Sequence, residues 1–472
     1  MAKGYDSAMT MGRRRLAILM VVALAASLSG CGRFHERPIS ASQSLALFEA
    51  RSLSDEGLRQ SLEAGLKYRL VPWPPQRWDL HLLTRVALHY HPDLEVARAQ
   101  RDVAQAGEIT AAQRPNPAVS FSPTYVTQIT SAPFNPWILG ISPDIPIETA
   151  GKRDKRIIHA QQLTESARLK IAVAAWSVRS RVRASLLNLF AARKTEILRI
   201  QLQGYQDELC HLLERRLKAG EISRPEANLG RLALEQTRLA LRDAQRQSAE
   251  AQAQLADALG LPVSALDHVE LSFMDFGRVA GIESVAEGEF RRQALLNRAD
   301  VLAALSDYEA SQSALRLEIA KQYPDLHMGP GVIFNQGEYK WVLGLNLTLP
   351  ILNQNQGPIA EAEARRKESA ARFESLQARV MGEIDRSLAA AKAAQLKLTV
   401  ADELLAEQEK HQRSAENLFK AGETDRLALL TSRVDFVTTE LARMDALIKA
   451  QQAVGLLEDA LQKPMDEPQT TN

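Results

Sequence analysis

The strongest constraint on this chain is that it contains itself twice. Residues 214–262 read ERRLKAGEISRPEANLGR…TRLAL…LADALGLP, and residues 416–464 read ENLFKAGETDRLALLTSR…TELAR…LEDALQKP. Slid by one constant offset, Lys218-Ala219-Gly220-Glu221 lies on Lys420-Ala421-Gly422-Glu423. In the same register Arg231 falls on Arg433, Thr237 on Thr439, Asp257 on Asp459 and Pro262 on Pro464, without a gap. A repeat this long marks a duplicated half-protein rather than a solenoid of short units. The 472 residues therefore form one pseudo-symmetric body rather than a string of separate domains.

The duplication reaches upstream. Ala87 to Pro117 aligns without a gap with Ala294 to Pro324, and both stretches have the helical period until prolines stop them. The first is entered through a short helix from Leu80 to about Tyr90. Pro92 then opens a second helix that runs to Arg114. After each helix the period changes to two. Val119, Phe121, Pro123 and Tyr125 alternate with Ser120, Ser122 and Thr124; Trp137, Leu139, Ile141 and Ile145 alternate with Gly140, Ser142 and Asp144. The second copy repeats this with Leu326, Met328, Pro330, Val332 and Phe334. Its clearest series is Trp341, Leu343, Leu345, Leu347 and Leu349, which alternates with Gly344, Asn346 and Thr348. Two hairpins are expected, at about 118–147 and 325–351. Alternation of this length is the pattern of a membrane β-barrel strand, which would put the Trp341 to Leu349 series against lipid. It is equally the pattern of a soluble, half-buried hairpin.

From Lys152 to Lys218, and again from Ile359 to Ala421, there is no proline. A helix of that span is roughly 100 Å long, the dimension of a coiled coil or a tunnel wall. Aromatic residues are only 5% of the chain, which suits long helices better than a compact α/β enzyme. Each long helix ends at Lys-Ala-Gly, with Gly220 and Gly422 placed for the left-handed C′ position. A return helix follows each turn, with Ser223 or Asp425 as its cap. The return helices carry Ala244, Ser248, Ala251, Leu255 and Ala258 in one copy and Ala446, Ala450, Ala453, Leu457 and Ala460 in the other, a seam for close helix approach. Val263 to about Ser284 breaks the period and reads as an irregular belt where the return helices end, beside the tail from residue 465.

At the N-terminus, Arg13-Arg14-Arg15 precedes an apolar run, Leu16 to Leu28, too short to span a membrane. Leu28-Ser29-Gly30-Cys31 then fits a bacterial lipobox. Residues 1–30 read as a signal peptide and Cys31 as a lipid-bearing N-terminus. Gly32, rather than Asp, directs the product to the outer membrane. Residues 31–79 read as a polar, extended arm with one short helix around 44–70. The other cysteine, Cys210, reads as a helix-packing residue. No further stretch is apolar enough for a transmembrane helix, so any crossing uses strands. Four strands cannot close a barrel, so the strands must be pooled between subunits.

The order helix, β-hairpin, very long helix, glycine turn and return helix, all duplicated, resembles the TolC-type outer-membrane efflux proteins over residues 80–465. The hairpin exits DIPIETAGKRDKRI and TLPILNQNQGPIAEAEARR and the two KAGE turns carry the likeness. The wording AGKR and NQNQGPI is most similar to the CzcC-like branch that serves heavy-metal pumps of the resistance-nodulation-division class. The resemblance implies a mainly α protein with membrane β: a homotrimer pooling twelve strands into a barrel continued by an α-helical coiled-coil tunnel. Its first repeat would cover residues 80–262 and its second 285–464, with 263–284 between them. The resemblance further implies that the turns are periplasmic tips meeting an adaptor (membrane-fusion) protein joined to an inner-membrane pump. Lys218, Ala219, Gly220, Lys420, Ala421 and Gly422 are then the contact candidates. The family's acidic constriction falls here on Ala428 and Thr431, which leaves Glu226 and Asp425 as candidate entrance acids; both also read simply as solvated helix-end carboxylates.

Catalytic signatures are missing. There is no G-x-S-x-G, no phosphate-binding GxxxxGK[ST] and no HExxH. His89 and His91 do not share a helix face, and His327 has no Cys, His or acid near it at ligand spacing, so no metal site, no cofactor beyond the Cys31 lipid and no enzyme activity are expected. A net charge of +1 argues against a nucleic-acid partner. The reading is an outer-membrane, lipid-anchored channel subunit extending into the periplasm, with heavy-metal ions as the candidate cargo. Type I secretion and drug efflux are the same-fold alternatives. A non-channel periplasmic coiled-coil lipoprotein is the alternative of another class.

Overall fold

A computed structural model describes residues 34–127, 135–279, 287–335 and 337–465. The signal segment, Cys31 and Gly32 lie outside the described residues, as does the tail from 466. The chain divides into two units, one through Ala50 and one from Arg51 onward. In the first, helix α1 (Ala41–Glu49) buries no residue.

The second unit carries the duplication. Helix α2 (Glu56–Leu66) is capped by Asp55, whose carboxylate accepts from Leu58 N at 2.9 Å. Then come α3 (Leu80–Tyr90), α4 (Pro92–Ala112), β1 (Ala118–Tyr125), β2 (Trp137–Ile147), α5 (Lys152–Lys218) and α6 (Arg224–Leu259). The second copy repeats the order with α7 (Glu287–Asn297), α8 (Ala299–Ala320), β3 (Leu326–Asn335), β4 (Glu338–Leu347), α9 (Gln356–Ala421) and α10 (Arg426–Leu461). The long helices run 67 and 66 residues and each return helix 36. Near-equal lengths are what a duplicated wall needs for the two tips to reach one level.

Neighbours in space follow one rule at every level. The strands lie in the order β1-β2-β3-β4, all antiparallel. Nearest the sheet the helices lie in the order α4-α5-α8-α9, and towards the tips in the order α6-α5-α10-α9. Each level is a single layer with two free edges, and α9 forms one edge of both helical levels.

The core sits where the levels meet. Val182, Leu186, Leu189 and Phe190 of α5 pack with Leu255 and Leu259 of α6 and Leu447 and Ala450 of α10. The expected seam is buried along α10 and mostly buried along α6, where Ser248 is half-exposed. Crossing it is a polar staple between the copies. Glu458 of α10 meets Arg179 at 3.1 Å and Arg183 at 3.2 Å, both from α5. Arg183 also donates to the Gln451 carbonyl at 3.0 Å. Gly455 makes this possible, since a Cβ there would stand 2.3 Å from an Arg183 nitrogen. Asp459 accepts from Trp176 Nε1 at 3.0 Å, and burial pushes its carboxyl above the ordinary range. Its duplicate, Asp257, is exposed, so the copies have diverged here.

The belt expected after Pro262 is present through its described part, as two 3-10 turns, Val263–Leu266 and Met274–Phe276. Phe273 and Phe276 lie against Phe190, with ring centroids 5.6 and 6.1 Å away. The segment before residue 80 differs from the polar arm expected. It holds two helices rather than one, and from Arg51 onward it belongs to the core. Leu58 and Leu62 of α2 are buried one turn apart, and Trp78 is 2% exposed. Trp78 bridges Leu271 of the belt, donating from N to the Glu270 carbonyl at 3.0 Å and accepting from Ser272 N at 2.8 Å. The few apolar residues here are spaced to share one face, and an average over a polar segment hides that. Arg51 also completes the first copy. In the second copy Arg298 donates to the Ala460 carbonyl at the end of α10, at 2.7 Å. The aligned residue in the first copy is His91, and there Arg51 donates to the Gly260 carbonyl at 2.8 Å instead.

Trp78→Ala should therefore lower stability by about 3–5 kcal/mol, the range for emptying a large buried aromatic site. Thermal unfolding of the detergent-solubilised protein reads this directly; an unchanged midpoint would mean that residues 51–79 are only a tether.

Candidate functional site

The strand register sorts the sheet into two unlike faces. Pairing Phe121 with Ile141, Ile141 with Val332 and Val332 with Trp341 puts these four on one face. The rest of that face is also apolar: Val119, Leu139, Ile145, Leu343, Leu345 and Leu347 are all exposed. Trp341 is 86% exposed. Leu349 does not extend the series within the sheet. The last β3–β4 pair is Leu326 with Leu347, and Leu349 lies two residues past the strand, its carbonyl accepting from Ile351 N at 2.9 Å. β3 has no residue left to pair there, and Pro350 has no N–H to give. Aromatic rings gather at the hairpin end of the apolar face, with Tyr125 against Trp137 at 5.0 Å and Phe334 against Tyr339 at 5.3 Å. Such rings suit a membrane–water boundary.

The opposite face is small and polar over most of its length, with Ser120, Ser122, Gly140, Ser142, Asp144, His327, Gly329, Gly331, Gly344 and Asn346, while Ile138, Ile333 and Val342 are its apolar members toward the hairpin end. Here the expectation for His327 is corrected. Asp144 lies beside it, with carboxylate oxygens 3.1 and 3.0 Å from Nδ1. The two are far apart in sequence, and only the β2–β3 register brings them together.

Where strands hand over to long helices, a collar of polar contacts locks the joints. Gly151 takes φ +65 to start α5. Thr149 N donates to Asp325 Oδ1 at 2.9 Å, and Lys152 Nζ meets the same oxygen at 2.7 Å. Lys152 is buried; burial pushes the Asp325 carboxyl up, but the hydrogen bonds from Lys152 and Thr149 and the Lys152 charge together outweigh it and hold the carboxyl below the ordinary range. Arg156 pairs with Glu148. At the second joint Asn355, at φ +63, donates from Nδ2 to the Glu318 carbonyl at 2.7 Å, and the Glu318 carboxylate pairs with Lys321 at 2.6 Å.

At the far ends, both turns close as Schellman motifs. Glu221 N donates to the Arg216 carbonyl and Glu423 N to the Leu418 carbonyl, each at 2.9 Å, with Gly220 and Gly422 both at φ +77. Lys218, Ala219, Lys420 and Ala421 are exposed beside them. The duplicated arginines turn out to be duplicated ion pairs across each hairpin, Arg231 with Glu214 at 3.0 Å and Arg433 with Glu416 at 3.3 Å. Asp425 caps α10, accepting from Ala428 N at 2.9 Å; Ser223 makes no side-chain cap for α6. Asp425 also meets Arg216 of the first copy at 2.6 Å, and Arg426 meets Glu208 of α5 at 3.1 Å. These cross-copy pairs escaped sequence reasoning because nothing local marks their partners. Glu226 is exposed in the first turn of α6 and makes no ion pair among the described residues.

Removing one collar partner should expose the weakness of a half-buried ion. Asp325→Ala leaves the Lys152 ammonium buried without its carboxylate, and a loss of about 2–4 kcal/mol in denaturant unfolding is expected. The paired change Lys152→Met with Asp325→Leu should cost less than Asp325→Ala alone; an equal or larger loss would show that the pair is not the unit that matters.

Comparison with known proteins agrees with this geometry. The family model described as "Outer membrane efflux protein" matches residues 83–261 and 290–461, one stretch in each copy. The cobalt-zinc-cadmium resistance protein CzcC of Cupriavidus metallidurans is 24% identical over 278 residues, which is 57% of this chain and 62% of that protein's length. Two solved structures share the fold. CusC has a TM-score of 0.64 at 20% identity, over 84% of this chain and 95% of its own. The outer membrane protein VceC from Vibrio cholerae has a TM-score of 0.66 at 19% identity, over 82% and 97%. With a match in both halves and the whole helix–hairpin–helix order in common, the chain belongs to the outer membrane efflux protein family.

Proposed function

We propose that three copies of this chain close around one axis as an outer-membrane channel, the conduit of a tripartite export system. The observation that carries this is the pair of free edges repeated at every level. β1 and β4 each present an unpaired row of backbone groups while the face between them is apolar and exposed. In lipid, unpaired N–H and C=O groups are prohibitively costly, so a sheet there must close on itself. Three copies supply twelve strands, and a head-to-tail contact that closes makes a ring. The helical edges fit the same operation. Leu229, Leu232 and Leu239 of α6 are exposed along one edge, and Leu396, Val400 and Leu404 are exposed at four-residue spacing along α9. A neighbouring copy buries both series at once.

In this reading the apolar strand face meets lipid, the polar face lines the pore, and the helices extend the conduit into the periplasm. Cys31 carries the lipid anchor. The exposed turns at Lys218-Ala219-Gly220 and Lys420-Ala421-Gly422 meet the periplasmic adaptor, which joins the channel to an inner-membrane pump of the resistance-nodulation-division class. The chain performs no bond chemistry, takes its energy from that pump, and has no nucleic-acid partner. The likeness to the cobalt-zinc-cadmium resistance protein CzcC supports heavy-metal ions as cargo; a drug or a secreted protein is the other assignment. The non-channel coiled-coil lipoprotein is disfavoured by the exposed apolar face, which a soluble protein would leave in water.

Arg216–Asp425 and Arg426–Glu208 tie the start of α10 to the first-copy hairpin and hold the entrance narrow. The Asp425 carboxyl lies below its ordinary value, because Ala428 N–H and then Arg216 favour its charged form. A lowered pKa makes this contribution fully present above the ordinary carboxylate range and lost only as pH falls through the folded value. The tie should therefore persist from neutral pH down through the ordinary carboxylate range and fail only below it.

Two outcomes follow for the purified protein in a planar bilayer. Native mass spectrometry should give a trimer with discrete conductance steps, and Leu345→Arg should abolish insertion, since a charge facing mid-bilayer costs about 2–4 kcal/mol per subunit; normal behaviour of that variant would leave the periplasmic lipoprotein standing. Arg216→Ala combined with Arg426→Ala should raise single-channel conductance at neutral pH, and an unchanged conductance would remove these pairs from the gate.

A further inference from the structure

The pore-facing side of the sheet carries one constellation that the conduit reading leaves unused. His327 and Asp144 stand together near the helical end of the sheet, on the same face as Ser142 and Asn346. The imidazole Nδ1 is nearly equidistant from the two Asp144 oxygens, at 3.1 and 3.0 Å. Asn346 is directly opposite His327 in the β3–β4 ladder. Directly paired residues on one face have Cβ atoms about 5 Å apart, so the Asn346 amide stands within reach of the same space. Neither partner is sealed off: the side chains of His327 and Asp144 are 36% and 51% exposed. Gly329, Gly331 and Gly344 flank the pair toward the hairpin end and contribute no side chain.

From these contacts we infer that His327 and Asp144 form a two-point chelate for divalent transition-metal ions at the pore wall, with Asn346 as an auxiliary oxygen. Three arguments of chemistry support this. A neutral imidazole and a carboxylate are the donor set that zinc, copper, nickel and cobalt accept, and magnesium has little use for the nitrogen. Two ligand atoms each about 2.1 Å from an ion stand about 3.0 Å apart at the right angle of octahedral coordination and about 3.4 Å apart at the tetrahedral angle zinc favours. The separation present here needs to widen by only a few tenths of an ångström at most. An ion bridging Nδ1 and a carboxylate oxygen therefore replaces their mutual hydrogen bond with little movement of either strand. The number of donors is also suited to transit. Among the described residues no group of three or more His, Cys, Asp or Glu is placed to hold a metal, so this chelate leaves most coordination positions to water. A conduit needs sites that bind well enough to admit an ion and weakly enough to release it. A closed four-ligand cage would trap the cargo; a pair on the wall, repeated in each copy, hands it on.

The inference rests on the proposed channel only for the location of this face in a pore. The ligand geometry belongs to a single chain, so the two readings can fail separately. The test uses the full-length protein without a polyhistidine tag, in detergent and in planar bilayers. Calorimetric titration with Zn²⁺ should reveal a weak site that His327→Gln weakens by about tenfold or more and that Mg²⁺ does not fill. In the bilayer, Zn²⁺ should reversibly lower the conductance of wild type, and His327→Gln and Asp144→Asn should each remove that Zn²⁺ sensitivity while keeping the wild-type trimer mass. A conducting trimer blind to Zn²⁺, or a Zn²⁺ isotherm identical in wild type and His327→Gln, overturns the chelate and leaves the channel intact. A wild type that binds no Zn²⁺ overturns it without any variant. Zn²⁺ binding that depends on His327 in a protein that never conducts supports the chelate and sinks the pore.

Discussion

Everything in this molecule is subordinate to a sheet that cannot finish itself. Four antiparallel strands present one apolar and one polar face and end at two open edges. In water an apolar face of this size is a liability; in lipid the open edges are worse, because each unpaired backbone group loses its water without gaining a partner. Only closure with further strands relieves both. The helices obey the same geometry, since the free edges α4 or α6 and α9 continue the edges β1 and β4 along the chain. In the proposed trimer one operation repeats at every level, the apposition of edge to edge, which would serve the strands through hydrogen bonds and the helices through leucine and valine side chains.

Duplication supplies the two halves of each level, and the divergence between copies shows what each half needs that the other does not. The carbonyls at the ends of the return helices must be met in both copies. Arg298 does this from within the second repeat, whereas the first repeat has His91 at that position and receives Arg51 from the preceding segment. A segment that resembles a tether by composition is thus held by a specific structural demand. The same divergence places the cross-copy staple. Glu458 and Asp459 are engaged by Arg179, Arg183 and Trp176 of the first copy, while the duplicate Asp257 faces solvent. The two copies are held to one another by contacts that neither could make with its twin.

Much of the fold was legible from local signals. The proline-free runs, the Lys-Ala-Gly stops and the small-residue seam state their periods openly, and the helices and turns lie where those periods put them. The strands were legible as alternation. What alternation could not give was their end: the apolar series runs on to Leu349, but the sheet stops at Leu347 because β3 offers no further partner. The arm was misread for a related reason. Leu58, Leu62 and Trp78 are few among polar neighbours, and their importance comes from the belt and helix they contact rather than from any local pattern.

The sequence by itself determined the duplication, the lengths of the walls, the positions of the turns and the two-faced strands, because each of these depends on residues close together in the chain. Tertiary structure decided which distant residues became partners. It set Asp144 beside His327 through strand register, Asp325 beneath Lys152 at the joint, and Arg216 against Asp425 at the tips. A periodic pattern specifies which way a side chain faces but not which side chain it meets, since that depends on how the elements are ordered and shifted against one another. The shape of the parts was therefore written locally, and the chemistry between them was not.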